Sequence, residues 1–178
     1  MKELIGDYDA KIAKINDVFE TIGIESSELS QLDHLCYRTE TIEEYRKALK
    51  DFESLGRNLG EVWVEKRPIT IIALSEPIIS GGWTVDFLEV AAPKPTSFYP
   101  SGLEHAEFVT RGLLSDFALR HAELPFETNA MDRVLNPELK YRQNDISVKF
   151  HQLNIGAVVT IEDRQAEELE RGEDTIGE

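Results

Sequence analysis

Apolar positions along this chain follow two periods, and the switches between them mark out the elements. Ile5, Tyr8, Ile12, Ile15, Phe19 and Ile22 recur every three or four residues, which draws one apolar stripe along a helix over 2–22. Gly23 suits the C-cap, since glycine enters the left-handed region without steric cost. The stripe predicts a helix lying on the body of the protein; it also fits a short heptad seam, so a homodimer is its alternative use. The period then drops to strand-like alternation in LDHLCYRT, 32–39. Thr41, with Glu44 three residues on, has the capping-box form and opens a helix that carries Tyr45, Leu49 and Phe52 as far as Gly56. Three strand-like runs follow at 58–66, 68–75 and 83–90, with Gly81 and Gly82 at a turn.

Three of the seven prolines fall in APKPTSFYPSG, 92–102, which cannot continue as a central strand and reads as a connector. Beyond it the order begins again: a strand at 103–110, a helix at 113–124, a weak strand between Phe126 and Arg133, and two more strands in NPELKYRQ and DISVKFHQ. A last helix starts near Asn154 and runs into an acidic tail. The two opening strands align without gaps: Leu32 with Leu103, Asp33 with Glu104, His34 with His105, Tyr37 with Phe108 and Thr39 with Thr110. A match in register with the element order points to an internal duplication. The expected fold is therefore α+β: two βαβββ modules pairing into a curved, barrel-like mixed sheet with helices outside. The expected divisions are an N-terminal helix at 1–24, modules at 32–92 and 103–152, and a C-terminal helix and tail at 153–178, all in a single domain.

Strand side chains alternate between faces, so parity sorts each strand. His34, Cys36 and Arg38 share one face of the first strand, His105 and Glu107 one face of the fifth, and Ser147, Lys149 and His151 one face of the last. The opposite faces carry Leu35 and Tyr37, Ala106 and Phe108, and Ile146, Val148 and Phe150, suited to cover by helices. Three of the four histidines thus look away from the helices. On the fourth strand parity leaves both Asp86 and Glu89 open as inward acids. Glu89 lies 55 residues after His34 and His151 lies 46 after His105, so each module opens on a histidine and closes on a further ligand type.

Composition narrows the functions. Hydrophobic residues at 41% and charged residues at 30% describe an ordinary globular chain. A formal charge of −15 with scattered basic residues repels phosphate backbones and anionic lipid, which argues against nucleic-acid and membrane partners. No apolar run approaches the roughly 20 residues of a membrane span, and charges interrupt the first 15 positions, so the cytoplasm is the expected location. Cys36 is the only cysteine, which rules out an internal disulfide and a multi-cysteine zinc site and reads as a small buried apolar residue. His121, in LRHAEL, is expected to be exposed and to play no part. No P-loop or dinucleotide fingerprint is present.

The segments LDHLCYR, KRPITIIAL, WTVDFLEVAAPKPTSFYPSGLEHAEFV and LNPELKYRQNDISVKFHQL resemble the YecM-type family within the vicinal oxygen chelate superfamily, which includes glyoxalase I and extradiol dioxygenases. The resemblance covers most of the chain from 32 to about 162 and is poor over 111–133. It implies a metal site at His34, Glu89, His105 and His151, which selects Glu89 over Asp86. It also departs from the better-known metalloenzymes, whose last-strand position is commonly a carboxylate. With His151 there, proton transfer falls to Glu107, two residues past His105 and roughly 6.5–7 Å along the strand. Such a ligand set suits one divalent ion, whether zinc, nickel, iron(II), cobalt or manganese. Two free positions on an octahedral ion would accept a bidentate oxygen ligand such as a hydroxyketone, enediolate, catechol or 2-oxo acid. Arg38 and Lys149 are the candidates for an anionic substrate group; Arg67 belongs to the same pattern or serves as an ion-pair partner. The expected function is a metal-dependent isomerase, epimerase or lyase acting on a small vicinally oxygenated substrate. The alternative is a protein that binds or sequesters a small molecule on the same fold without turnover.

Overall fold

The computed structural model describes residues 1–95 and 98–174. Part of the 92–102 connector and the last four residues of the acidic tail lie outside the described residues. The first helical stretch is broken into α1 (Lys2–Ile5) and α2 (Tyr8–Ile22) at Gly6, whose φ of 97° no helix accommodates. Asp7 restarts the helix by accepting from the Ala10 amide, and Gly23 ends it in the left-handed conformation at φ 74°. Ile5, Ile12, Ile15 and Phe19 are buried within the chain's own core, so the apolar stripe lies on the body of the protein.

The first module runs β1 (Leu29–Arg38), α3 (Ile42–Phe52), β2 (Gly56–Val64), β3 (Arg67–Ser80) and β4 (Trp83–Ala91). Thr41 and Glu44 form the anticipated capping box at the start of α3. The second runs β5 (Gly102–Thr110), α4 (Leu114–Arg120), β6 (Glu127–Ala130), β7 (Glu138–Gln143) and β8 (Ile146–His151), followed by α5 (Ile155–Asp174). All eight strands form one mixed sheet in the order β2-β3-β4-β1-β5-β8-β7-β6. Each module therefore places its first strand parallel to its last, β1 to β4 and β5 to β8, while β1 and β5 join the modules antiparallel. That arrangement is a twofold repeat about the β1·β5 seam. The sheet does not close on itself, and β2 and β6 are its edges.

One face is covered by helices. Phe19 of α2 packs on Phe108 with ring centroids 5.0 Å apart, and Phe117 of α4 packs on Phe150 at 4.8 Å. Leu35, Leu88, Val90, Ala106, Val148 and Tyr45, Ala48 and Phe52 of α3 complete this core. A smaller apolar group of Cys36, Ile69, Ile71 and Ala91 lies apart from it, with Phe87 and the first residue of α5, Ile155, packed against it. Gly156 permits that approach, because a Cβ there would stand 2.7 Å from the Phe87 ring. On β4 strict alternation fails: between Ala73 and Ile78 on β3 the register shifts against Phe87 and Val85, and Val85 joins the same core as Leu88 and Val90. This break is why parity alone could not sort the acids of that strand.

Two expectations need correction. The helix expected over 113–124 ends at Arg120, and His121 takes a non-helical conformation. His121 is also buried rather than exposed, with Nε2 2.9 Å from Glu28 Oε1, while Arg120 Nε donates to Glu28 Oε2 at 2.9 Å. The reason is local: leaving the helix turns the imidazole back onto the 3-10 turn Ser26–Glu28, whose acid meets both the ring and the Arg120 guanidinium. Burial opposes ionisation of Glu28, but Arg120 and His121 outweigh it and hold the carboxyl below its usual range.

Two outcomes are expected from denaturant titrations. Phe19→Ala should lower stability by about 3–5 kcal/mol, because the cavity would lie between two packed rings. Glu28→Gln should cost about 1–2 kcal/mol at pH 7. The folded carboxyl titrates below the unfolded one, so its stabilisation is present above about pH 4.3 and is lost as pH falls through the depressed folded value. The gap between wild type and variant should accordingly narrow in acid; a gap that widens would contradict the assignment.

Candidate metal centre

On the face away from the main helical core, the strands at the seam bring ionisable side chains together. Glu107 is paired laterally with His34 across the seam and with Lys149 on β8, while Cys36 stands between Glu89 on β4 and His105 on β5. His34, Glu89, His105, Glu107 and His151 are all buried. Glu107 occupies the middle: its Oε1 is 2.9 Å from His105 Nε2 and 3.4 Å from His34 Nε2, and its Oε2 is 3.3 Å from His151 Nε2. Glu89 lies further out, 3.8 Å from His34 Nε2.

Three overlapping groups each offer ligand atoms within 4.8 Å of one another: His34, His105 and Glu107; Asp33, His34 and His151; and Cys36, Glu89 and His105. The sequence-derived quartet of His34, Glu89, His105 and His151 is thus spread over three adjoining clusters, and Glu107 is the carboxylate that touches all three imidazoles. Nε2 of His34 and both ring nitrogens of His151 are buried without a hydrogen-bond partner among the described residues. An unpartnered buried nitrogen is costly, and a bound cation would satisfy it. Two imidazoles with a carboxylate, and a third imidazole alongside, form a donor set suited to borderline divalent ions. By these observations the residues present fit a metal.

The electrostatics follow from dense burial. Desolvation favours the neutral forms, yet Glu107 and Asp33 outweigh it and hold the His34 imidazole well above its ordinary pKa. Burial likewise opposes the charge on Glu107, but Lys149 and His34 overcome it and push the carboxyl well below the usual range. Glu89 is lowered too, with His105 and His34 outweighing desolvation. Lys149 Nζ donates to Glu107 Oε1 at 2.7 Å and lies 3.2 Å from Glu138 Oε2. Its ammonium is raised in pKa, because those acids outweigh the cost of its burial.

The other anticipated residues have definite places. Arg38 lies 3.3 Å from Glu104 and stacks over the Tyr99 ring at 4.3 Å. Arg67 is buried and donates to the Ala92 carbonyl at 2.9 Å and the Tyr99 hydroxyl at 3.3 Å, which ties the connector to the sheet. Cys36 is fully buried; desolvation and the neighbouring Glu89 push its thiol well up. A cavity of about 450 Å³ opens beside the cluster, lined by Lys11, Arg38, Tyr99, Glu104, Arg142 and Ser147 among others. Parity reasoning missed Asp33, Glu104 and Glu138, which also reach this network. Asp33 Oδ2 is 3.0 Å from His34 Nδ1, and Glu104 bonds His105 Nδ1. The signal was present in the repeat, where an acid precedes the histidine in both copies.

Two βαβββ modules joined antiparallel through their first strands, each of which carries a histidine, make up a fold of the vicinal oxygen chelate type. Within that class a family model described as YecM protein matches residues 1–131, and the chain belongs to the YecM family. The matched span includes Asp33, His34, Glu89, Glu104, His105 and Glu107 and ends before β7. Protein YecM of Escherichia coli strain K12 is 26% identical over 180 residues, covering 91% of this chain and 94% of its own. A solved structural-genomics protein, EC4020, is 24% identical and superposes with a TM-score of 0.76 over 90% of this chain and 92% of that one, which shows the fold. Methylmalonyl-CoA epimerase from Mycobacterium tuberculosis is 13% identical, with a TM-score of 0.49 over 72% of this chain and 91% of that one.

Lys149→Met should lower the stability of metal-free protein by about 2–3 kcal/mol, discounted because the ammonium is partly exposed. The loss strands the Glu107 and Glu138 charges. Added cobalt(II) or zinc should raise the melting temperature of this variant more than that of wild type, read by thermal scanning. An equal rise in both proteins would show that Lys149 and the ion do not balance the same charge.

Proposed function

We propose that the cluster around Glu107 holds one divalent cation, and that the protein uses it on a small, vicinally oxygenated, anionic molecule in isomerase, epimerase or lyase chemistry. The observation that carries this reading is the approach of three buried imidazole Nε2 atoms to one carboxylate, two of those nitrogens lacking hydrogen-bond partners among the described residues. His34, His105, His151 and Glu107 would hold the ion, with Glu89 standing beside them, 3.8 Å from His34 Nε2. When bound, it would supply Lewis acidity toward a substrate oxygen.

The rest of the chemistry belongs to the side chains. Whichever of Glu89 and Glu107 does not ligate is placed to accept or return a proton. Glu89 is the better placed for this by position, since it stands outside the contacts of Glu107 with the three imidazoles, 3.8 Å from His34 Nε2. Arg38 and Arg142, on the neighbouring cavity, would take an anionic end, and Lys149 would hold the charge on Glu107 steady. Fold resemblance does not choose the reaction, so the reading rests on the site.

A second reading is favoured by one observation: every candidate ligand is buried, as suits a protein that encloses a small molecule without turnover.

Elemental analysis of purified wild type and His105→Ala separates the two. The metal reading expects about one equivalent of a transition ion in wild type and at least a tenfold loss in the variant, in line with the cost of removing a ligand. Metal-free wild type carrying a co-purified organic ligand would overturn it in favour of enclosure.

A further inference from the structure

In a regular strand, adjacent side chains point to opposite faces, so Asp33 could not hydrogen-bond His34, nor Glu104 reach His105. Both pairs nonetheless form, and the register explains how. Leu32 faces Phe108 while His34 faces Glu107, two steps along β1 for one along β5, so Asp33 is the extra residue of a β-bulge. Further along the same seam, Cys36 faces His105 while Tyr37 faces Leu103, one step along β1 for two along β5, so Glu104 is the extra residue of a second bulge. The two irregularities are reciprocal, one on each strand, and each inserts an acid directly before a histidine. They bring Asp33 Oδ2 to 3.0 Å from His34 Nδ1 and Glu104 Oε2 onto His105 Nδ1, in both cases leaving Nε2 directed at Glu107.

We infer that Asp33 and Glu104 are positioning residues, installed by the paired bulges to fix the two seam imidazoles with Nδ1–H outward and Nε2 toward a common ligand. The inference rests on the proposed metal function for its purpose, though the pairing itself can be decided without metal. An acid on the far nitrogen sets tautomer and ring orientation and makes the near nitrogen a better donor. Asp33 has two further connections. It accepts from the Ile155 amide at 2.9 and 3.1 Å, so it anchors the start of α5, and its Oδ2 lies 3.5 Å from His151 Nε2. Glu104 is shared with Arg38 at 3.3 Å and Arg142 at 3.8 Å, which links the orientation of His105 to the cationic cavity. The two acids thus serve the same function from different surroundings, one tied to the last helix and the other to the cavity rim.

Nitrogen-15 spectra of histidine-labelled, metal-free protein test the pairing. Wild type should show protons on Nδ1 of both His34 and His105, slow to exchange. Glu104→Ala should remove the His105 signal and leave that of His34, and Asp33→Ala the reverse. Bare Nδ1 atoms in wild type, or signals indifferent to these changes, would overturn the inference. Cobalt(II) affinity, measured by chelator competition, supplies the functional arm. Each alanine variant should bind about 10–100-fold more weakly, the size typical of losing an orienting partner. Glu104→Gln and Asp33→Asn keep an oxygen that accepts from Nδ1–H and should recover part of the loss, which a general weakening of the fold would not allow. Folded alanine variants with wild-type affinity would sink the positioning role. Should wild type itself take up no cobalt, the metal function fails, while the spectra still decide the pairing.

Discussion

Burying three acids and three imidazoles within one stretch of sheet, with two half-buried acids at its rim, is the constraint that the remaining structure answers to. A carboxylate taken from water without a partner is expensive, and like charges this close would expel one another. The fold meets the difficulty by interleaving. Glu107 has imidazoles on three sides and an ammonium on the fourth, and Asp33 lies between His34 and the first amide of α5. Every member depends on neighbours from another strand, so the seam must hold its register for the cluster to exist. Phe19, Phe108, Phe117 and Phe150, stacked behind β5 and β8, fix that register from the other side of the sheet.

Much of this could be read from the amino acids. Periodicity found the helical stripe, the capping box and the order of the strands, because those signals are local. The repeat of LDHLCYRT in LEHAEFVT supplied the duplication, and from it the two seam histidines. Cys36, Lys149 and His151, which parity sets on the faces of the histidine-bearing strands, lie within reach of Glu89, Glu107 or His105. Parity could not see Asp33 and Glu104, because a bulge is a relation between two strands, and the three-residue spacing it leaves, with Leu32 and Leu35 both in the helix-covered core, is readable only once the ladder is known. His121 was misjudged for a similar reason. Its partner, Glu28, is 93 positions away and is brought near only by the termination of α4.

The two faces of the sheet therefore divide the work. Behind it, packing of ordinary apolar side chains provides stability and needs no unusual geometry. In front, geometry is everything, and the irregular parts of the ladder are where it is made. The smaller apolar group of Cys36, Ile69, Ile71 and Ala91 separates these regimes on the first module, with Ile155 laid over it. Glycine at 156 is what allows the chain to leave β8 and return across Phe87 so closely.

The open edge at β2 has a consequence of another kind. Among the described residues this strand pairs only with β3, and Val62, Trp63 and Val64 are exposed along it, with Trp63 at 71%. Unsatisfied amides beside an apolar ridge are a template for adding foreign strands, the first step toward aggregation. What opposes it is colloidal: a net charge of −15 makes copies repel before their edges can meet. Concentrated salt or mild acid would weaken that repulsion while leaving the ridge intact, so the protein's tendency to clump should be governed by its counterions more than by its melting point.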